Sequence, residues 1–88
     1  MNVSDLSEKN DVVLDLRGVI SPITLLKARR VFREMEQGRI LEILARDTDT
    51  RTDLFKILPE NAYELIEKRV LNDMGLYYRI RLKKVGSV

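Results

Sequence analysis

Leu14-Asp15-Leu16-Arg17-Gly18-Val19-Ile20-Ser21-Pro22-Ile23-Thr24-Leu25-Leu26-Lys27-Ala28-Arg29-Arg30 is the stretch whose reading decides the fold. It starts as the end of a strand, because Val12, Leu14 and Leu16 alternate with Val13 and Asp15. It finishes as an amphipathic helix. Gly18 between the two permits a backbone turn that a side chain would hinder. Pro22 has a fixed φ and no N–H, so it suits the first helical position, and Ser21 before it suits an N-cap. The loop therefore ends at the positive end of a helix, where backbone donors are expected to be unpaired. Arg17, Gly18, Ser21, Pro22, Thr24 and Lys27 are accordingly the candidate binding residues, and a small anion is the chemistry they suggest.

Working outward, the first helix is predicted over residues 22–37. Leu25, Ala28, Phe32 and Met35 form its inner stripe, with Val31 widening it, and Gly38 ends it. Residues 39–45 read as a second strand. Its run Ile40-Leu41-Glu42-Ile43-Leu44 is apolar enough for a central strand partly covered on both sides. Strand, helix, strand of this size is a βαβ unit with parallel strands and a right-handed crossover. Asp47-Thr48-Asp49 reads as a turn and Thr50-Arg51-Thr52-Asp53 as a variant capping box. A second helix then places Leu54, Ile57 and Leu58 inward, and Pro59 ends it. A third strand is predicted over about 62–70, a turn over 71–75, and a fourth strand over 76–84. The order βαβαββ makes an α+β domain, a two-layer α/β sandwich with two helices on one face of four strands. The expected core is Leu14, Leu16, Leu25, Phe32, Leu41, Ile43, Leu54, Ile57, Leu65, Ile80 and Leu82. Residues 1–10 read as a flexible lead-in, 11–85 as one domain and 86–88 as a tail.

Composition narrows the chemistry. Eighty-eight residues, 44% hydrophobic and 34% charged, support one core. There is no cysteine and no histidine. That removes disulfides, thiolate metal sites, cysteine catalysis and the usual general base. No catalytic residue and no cofactor is assigned. The polar start does not read as a signal peptide, and no run approaches the ~18 apolar residues of a membrane span. The expected compartment is the cytoplasm. The net charge of +2 points to no nucleic acid by itself.

The residues Leu14 to Pro22, with Leu25-Leu26-Lys27-Ala28 after them, resemble the signature of the TusA/SirA sulfur-carrier (sulfurtransferase) family. Asp47 and Asp53 match its acidic turn and next helix start, and Ala62-Tyr63-Glu64-Leu65-Ile66 falls where Gly-His-Glu and two apolar residues are usual. The resemblance runs from about Val12 to Lys84. It implies a mixed sheet, as in the C-terminal domain of translation initiation factor three. It also implies that Ser21 stands where the family carries its sulfur-bearing cysteine. Thr24, Thr48-Asp49 and Ala62-Tyr63 depart from the pattern as well. A persulfide needs a thiolate, which a helix N-terminus favours by lowering a thiol pKa from ~8.5. A serine hydroxyl does not ionise in this way, and with no histidine only a lysine or carboxylate remains as the base that a serine nucleophile needs. The expected function is therefore a non-catalytic interaction or regulatory role in a sulfur-relay or thiolation pathway, with a protein partner. An engineered Cys-to-Ser change at Ser21 in a true carrier is an alternative.

Two other surfaces carry charge. Lys27, Arg29, Arg30 and Arg33 cluster on the first helix and suit an acidic protein surface. Arg79, Arg81 and Lys83, with Lys84 and Tyr77, line the last strand. Such a row can bind single-stranded nucleic acid, which is the alternative function, but the favoured reading is a solvated face that keeps an exposed strand from aggregating. The cluster Asp47, Asp49, Asp53 lacks the spacing of a calcium loop, so no metal is expected.

Overall fold

A computed structural model describes residues 11–86. The predicted lead-in and the last two residues of the tail lie outside them. The elements run β1 (Asp11–Asp15), α1 (Ile23–Glu34), β2 (Ile40–Ala45), α2 (Thr48–Ile57), a 3-10 turn (Glu60–Ala62), β3 (Tyr63–Asn72) and β4 (Leu76–Lys84). The sheet order is β1-β2-β4-β3. β1 and β2 are parallel, while β4 lies antiparallel between β2 and β3. The sheet is thus mixed, and the α+β sandwich has the predicted element order.

The core sits over β2 and β4. Leu41, Ile43 and Ala45 of β2 face the same side as Tyr78, Ile80 and Leu82 of β4, and meet Ala28, Phe32 and Met35 of α1 and Leu54 and Leu58 of α2. The apolar run in β2 is covered mainly on one side: its residues alternate buried and half-buried. Leu65, expected in the core, is 47% exposed. β3 forms the sheet edge, and none of its residues is buried. Its pairing with β4 slips between Leu65 and Glu67, so two residues there oppose one. A bulge and the charged Lys68 are devices that keep an edge strand from pairing further. The β3–β4 turn needs left-handed backbone at Met74 (φ 55°) and Gly75 (φ 110°), which explains a glycine at the second position. Gly18 does not take a positive φ, so the β1–α1 turn does not require it on that ground.

Thr24 replaces Leu25 in the inner stripe of α1. It is fully buried, while Leu25 is only partly so. Its hydroxyl pairs with the equally buried hydroxyl of Thr50 where α1 meets α2. Lys84, expected in the outward basic row, points inward and is buried. Its ammonium donates to the carbonyls of Phe32 (2.9 Å), Arg33 (3.1 Å) and Met35 (2.7 Å). Those are carbonyls at the negative end of α1, which a cation satisfies well.

Candidate functional site

The loop after β1 and the loop after β2 leave the sheet side by side, because their strands are parallel neighbours. This brings Ser21 to the start of α2. Pro22 is the residue before the first helical one, and Ser21 makes no side-chain cap. Several of the amides that the sequence leaves free are already engaged. Ile23 and Thr24 both donate to the carbonyl of Ile20, at 3.1 and 3.3 Å, and Leu26 donates to Pro22 at 3.1 Å. The Ser21 amide donates to the carboxylate of Asp47.

Asp47 is the centre of the arrangement. It is the N-cap of α2, where its other oxygen accepts from the Asp49 amide at 3.0 Å. The Thr50 hydroxyl donates to it at 3.3 Å, and Thr50 in turn meets Thr24. The Tyr78 hydroxyl donates to the Asp47 carbonyl. The predicted capping box at Thr50–Asp53 is therefore displaced by one turn. Thr50 is a buried bridge between helices, and Asp53 pairs with Lys56 at 3.3 Å. The Ser21 amide, foremost, holds the Asp47 carboxyl below its ordinary range despite partial desolvation. Burial pushes the Tyr78 hydroxyl up to about 12, so it remains a donor.

Arg17 is committed elsewhere. Its guanidinium forms a two-pronged contact with Asp15, Nε to Oδ1 at 2.9 Å and Nη2 to Oδ2 at 2.7 Å, and stands 5.0 Å from the centre of the Tyr77 ring. The hydrogen bonds from Arg17 hold the Asp15 carboxyl at about 2. Gly18, Pro22 and Lys27 are exposed at the loop and on the first turns of α1. Around them Ile20 (71% exposed), Ile23 and Leu26 (63%) leave an apolar surface facing solvent. It continues into a groove along α1 formed by Leu26, Arg29, Arg30, Arg33 and Glu34. No acidic residue lies in the first turn of α1. Sequence reasoning placed the basic residues of this groove but assigned no role to its apolar end at Ile20, Ile23 and Leu26.

The β4 row faces the open side of the sheet and is largely neutralised. Arg79 pairs with Glu67 at 2.7 Å, and Arg81 lies 3.5 Å from Glu42. Tyr77 is already stacked with Arg17, and Arg46 stands 5.8 Å from its centre. Lys83 is half-buried in the same row. Among the described residues, no three acidic side chains converge on a point, and no helix is long and apolar enough to cross a membrane.

A sequence model of the family described as "Sulfurtransferase TusA" matches residues 12–84. The chain belongs to the TusA family. Relatives include a Bacillus subtilis protein named "Putative sulfur carrier protein YrkI", 32% identical over 60 residues, which are 68% of this chain and 80% of that protein. Two Archaeoglobus fulgidus proteins named "Putative sulfur carrier protein" are 30% and 31% identical, over 84% and 81% of this chain and 97% and 92% of their own lengths. Within the TusA family, this chain is one without any cysteine.

Proposed function

We propose that this TusA-family chain is a non-catalytic member that docks on a protein of a cytoplasmic sulfur-relay or thiolation pathway, with Ser21 in the place of the sulfur-carrying cysteine. The observation that carries this reading is the loop itself. Ser21 is held by its backbone to Asp47 at the start of α1, in a chain of a sulfur-carrier family that has no thiol. A hydroxyl there keeps the shape of a carrier loop but cannot hold sulfane sulfur, since that chemistry needs a thiolate. The surface around it supports docking. An apolar lip at Ile20, Ile23 and Leu26 leads into a groove with three arginines. Charge complementarity favours a partner with an acidic surface. The paired arginines of β4 give no comparable support to single-stranded nucleic acid.

The test is competition. A cysteine desulfurase loads sulfur onto a cysteine-bearing relative, and this chain is added in excess. The expected result is slower loading of the relative, no sulfur on this chain by intact mass, and loss of the inhibition in an Ile23→Asp/Leu26→Asp variant that remains folded. A Ser21→Cys variant is expected to take up one sulfur atom. Sulfur on the unaltered chain, or a relative loaded at the same rate whether or not this chain is present, would refute the reading.

A further inference from the structure

We infer that a second site, in the cleft between the start of α2 and the β3–β4 hairpin, binds an aliphatic carboxylate. Val70, Leu76, Tyr77 and Tyr78 form its floor and wall, and Arg46 and Arg51 flank it, around a volume of about 130 Å³. Val70 and Leu76 are 57% and 66% exposed, so the apolar floor faces solvent.

The two guanidiniums set the charge of the ligand. Among the described residues Arg46 makes no direct ion pair: its Nη1 donates to the Leu76 carbonyl at 3.0 Å and its Nη2 to the Asp73 carbonyl at 3.5 Å, and its Cζ lies 5.8 Å from the centre of the Tyr77 ring. Arg51 is half-buried, and among the described residues its guanidinium has no hydrogen bond or ion pair, although its amide donates to the Asp47 carbonyl. Arg17 and Arg79, by contrast, each hold a carboxylate at 2.7 Å. The Asp47 carboxylate at the nearest helix cap accepts from Ser21, Asp49 and Thr50 and makes no ion pair with either guanidinium. A partly desolvated guanidinium gains most from an anion that accepts two parallel N–H bonds, as a carboxylate does.

The floor and the size set the rest. A volume of about 130 Å³ equals that of roughly four liquid waters at ~30 Å³ each. That admits a carboxylate with a short branched chain. A phosphate or sulfate would satisfy the arginines but leave Val70 and Leu76 in water. An aliphatic carboxylate satisfies both, whether it is a free short-chain acid or the C-terminal residue of another polypeptide.

The experiment follows amide resonances of the full chain during titration with isovalerate, with its neutral amide, and with acetyl-alanyl-leucine. Isovalerate is expected to give saturable shifts at Arg46, Arg51, Val70 and Leu76, while the neutral amide gives none. Arg51→Gln is expected to weaken binding about tenfold or more through loss of a charge-assisted contact. Val70→Asp, at an exposed position, places a carboxylate in the cleft and is expected to abolish the shifts even if Arg51→Gln proves poorly folded. Tighter binding of the peptide than of isovalerate assigns the site to a chain terminus, and equal binding assigns it to a free acid. Equal shifts with the neutral amide, or isovalerate binding unchanged in both variants, would overturn the inference.

Discussion

The two helices are held in different ways. α2 carries its own cap: Asp47 bonds the Asp49 amide two residues on. α1 has no side-chain cap from a neighbouring residue, although its first amides fold back on the Ile20 carbonyl and the Met35 amide on that of Phe32. Its start is tied through the Ser21 amide to Asp47, 26 residues away, and its end through carbonyls to Lys84, about 50 residues away. The lesson concerns where a helix end looks for partners. The orphan groups of any helix must be satisfied, but when the helix is buried against a sheet, the satisfying residue can come from any strand or loop that passes the end. α2 takes its capping side chain from its own sequence, while the side chains that meet the two ends of α1 come from distant parts of the chain.

The largest test of this contrast is in the core. Phe32 in α1 and Leu54 in α2 are both fully buried. Phe32→Ala is expected to cost ~3–5 kcal/mol and Leu54→Ala ~2–5 kcal/mol. The first is expected to be the greater in denaturant titration, because α1 has less local support to fall back on. Near-equal losses, or a greater loss at Leu54, would show that the ends of α1 are as secure as those of α2.

Lys84 gives an intermediate effect. Lys84→Met keeps most of the side-chain volume but removes the ammonium from the Arg33 and Met35 carbonyls at the end of α1, while the Phe32 carbonyl keeps the Met35 amide, an expected loss of ~1–3 kcal/mol. Hydrogen exchange is expected to quicken in the last turn of α1 and to stay unchanged in α2. Uniform acceleration in both helices would mean that Lys84 supports the whole fold rather than the end of α1.

The smallest effect concerns the Ser21 loop. A thiol placed at a helix start is expected to ionise below ~8.5 on dipole and free amides alone. Here the Ile23 and Thr24 amides are spent on Ile20, and the Asp47 carboxylate sits on the residue's own amide. A nearby negative charge opposes thiolate formation. In a Ser21→Cys chain, adding Asp47→Asn is therefore expected to lower the thiol pKa, while an amide oxygen still accepts from the loop. Alkylation rate against pH measures it. An unchanged or raised pKa would show that the charge on Asp47 does not reach the side chain at position 21.

The β1–α1 stretch, the parallel βαβ unit and the β3–β4 hairpin were legible from periodicity and from turn residues, because strand alternation and helical spacing are local properties. Phe32, Leu41, Ile43, Leu54, Ile80 and Leu82 were legible for the same reason. Leu65 was not. It has the pattern of a core residue, but β3 takes the outside place in the order β1-β2-β4-β3, and no spacing along the chain encodes that place.

The sequence by itself determined the element order, the family to which the chain belongs and the absence of any thiol or imidazole chemistry, since each depends on residue type and short-range pattern. Only the tertiary structure decided what those elements share. It turned Thr24 and Lys84 inward, gave Asp47 to both helices at once, neutralised Arg79 and Arg81, and left Arg46 and Arg51 facing an open cleft. The physical reason is that a polar or charged side chain is placed by the partners that satisfy it. In this chain those partners lie 12 to 52 residues away, where no local pattern points.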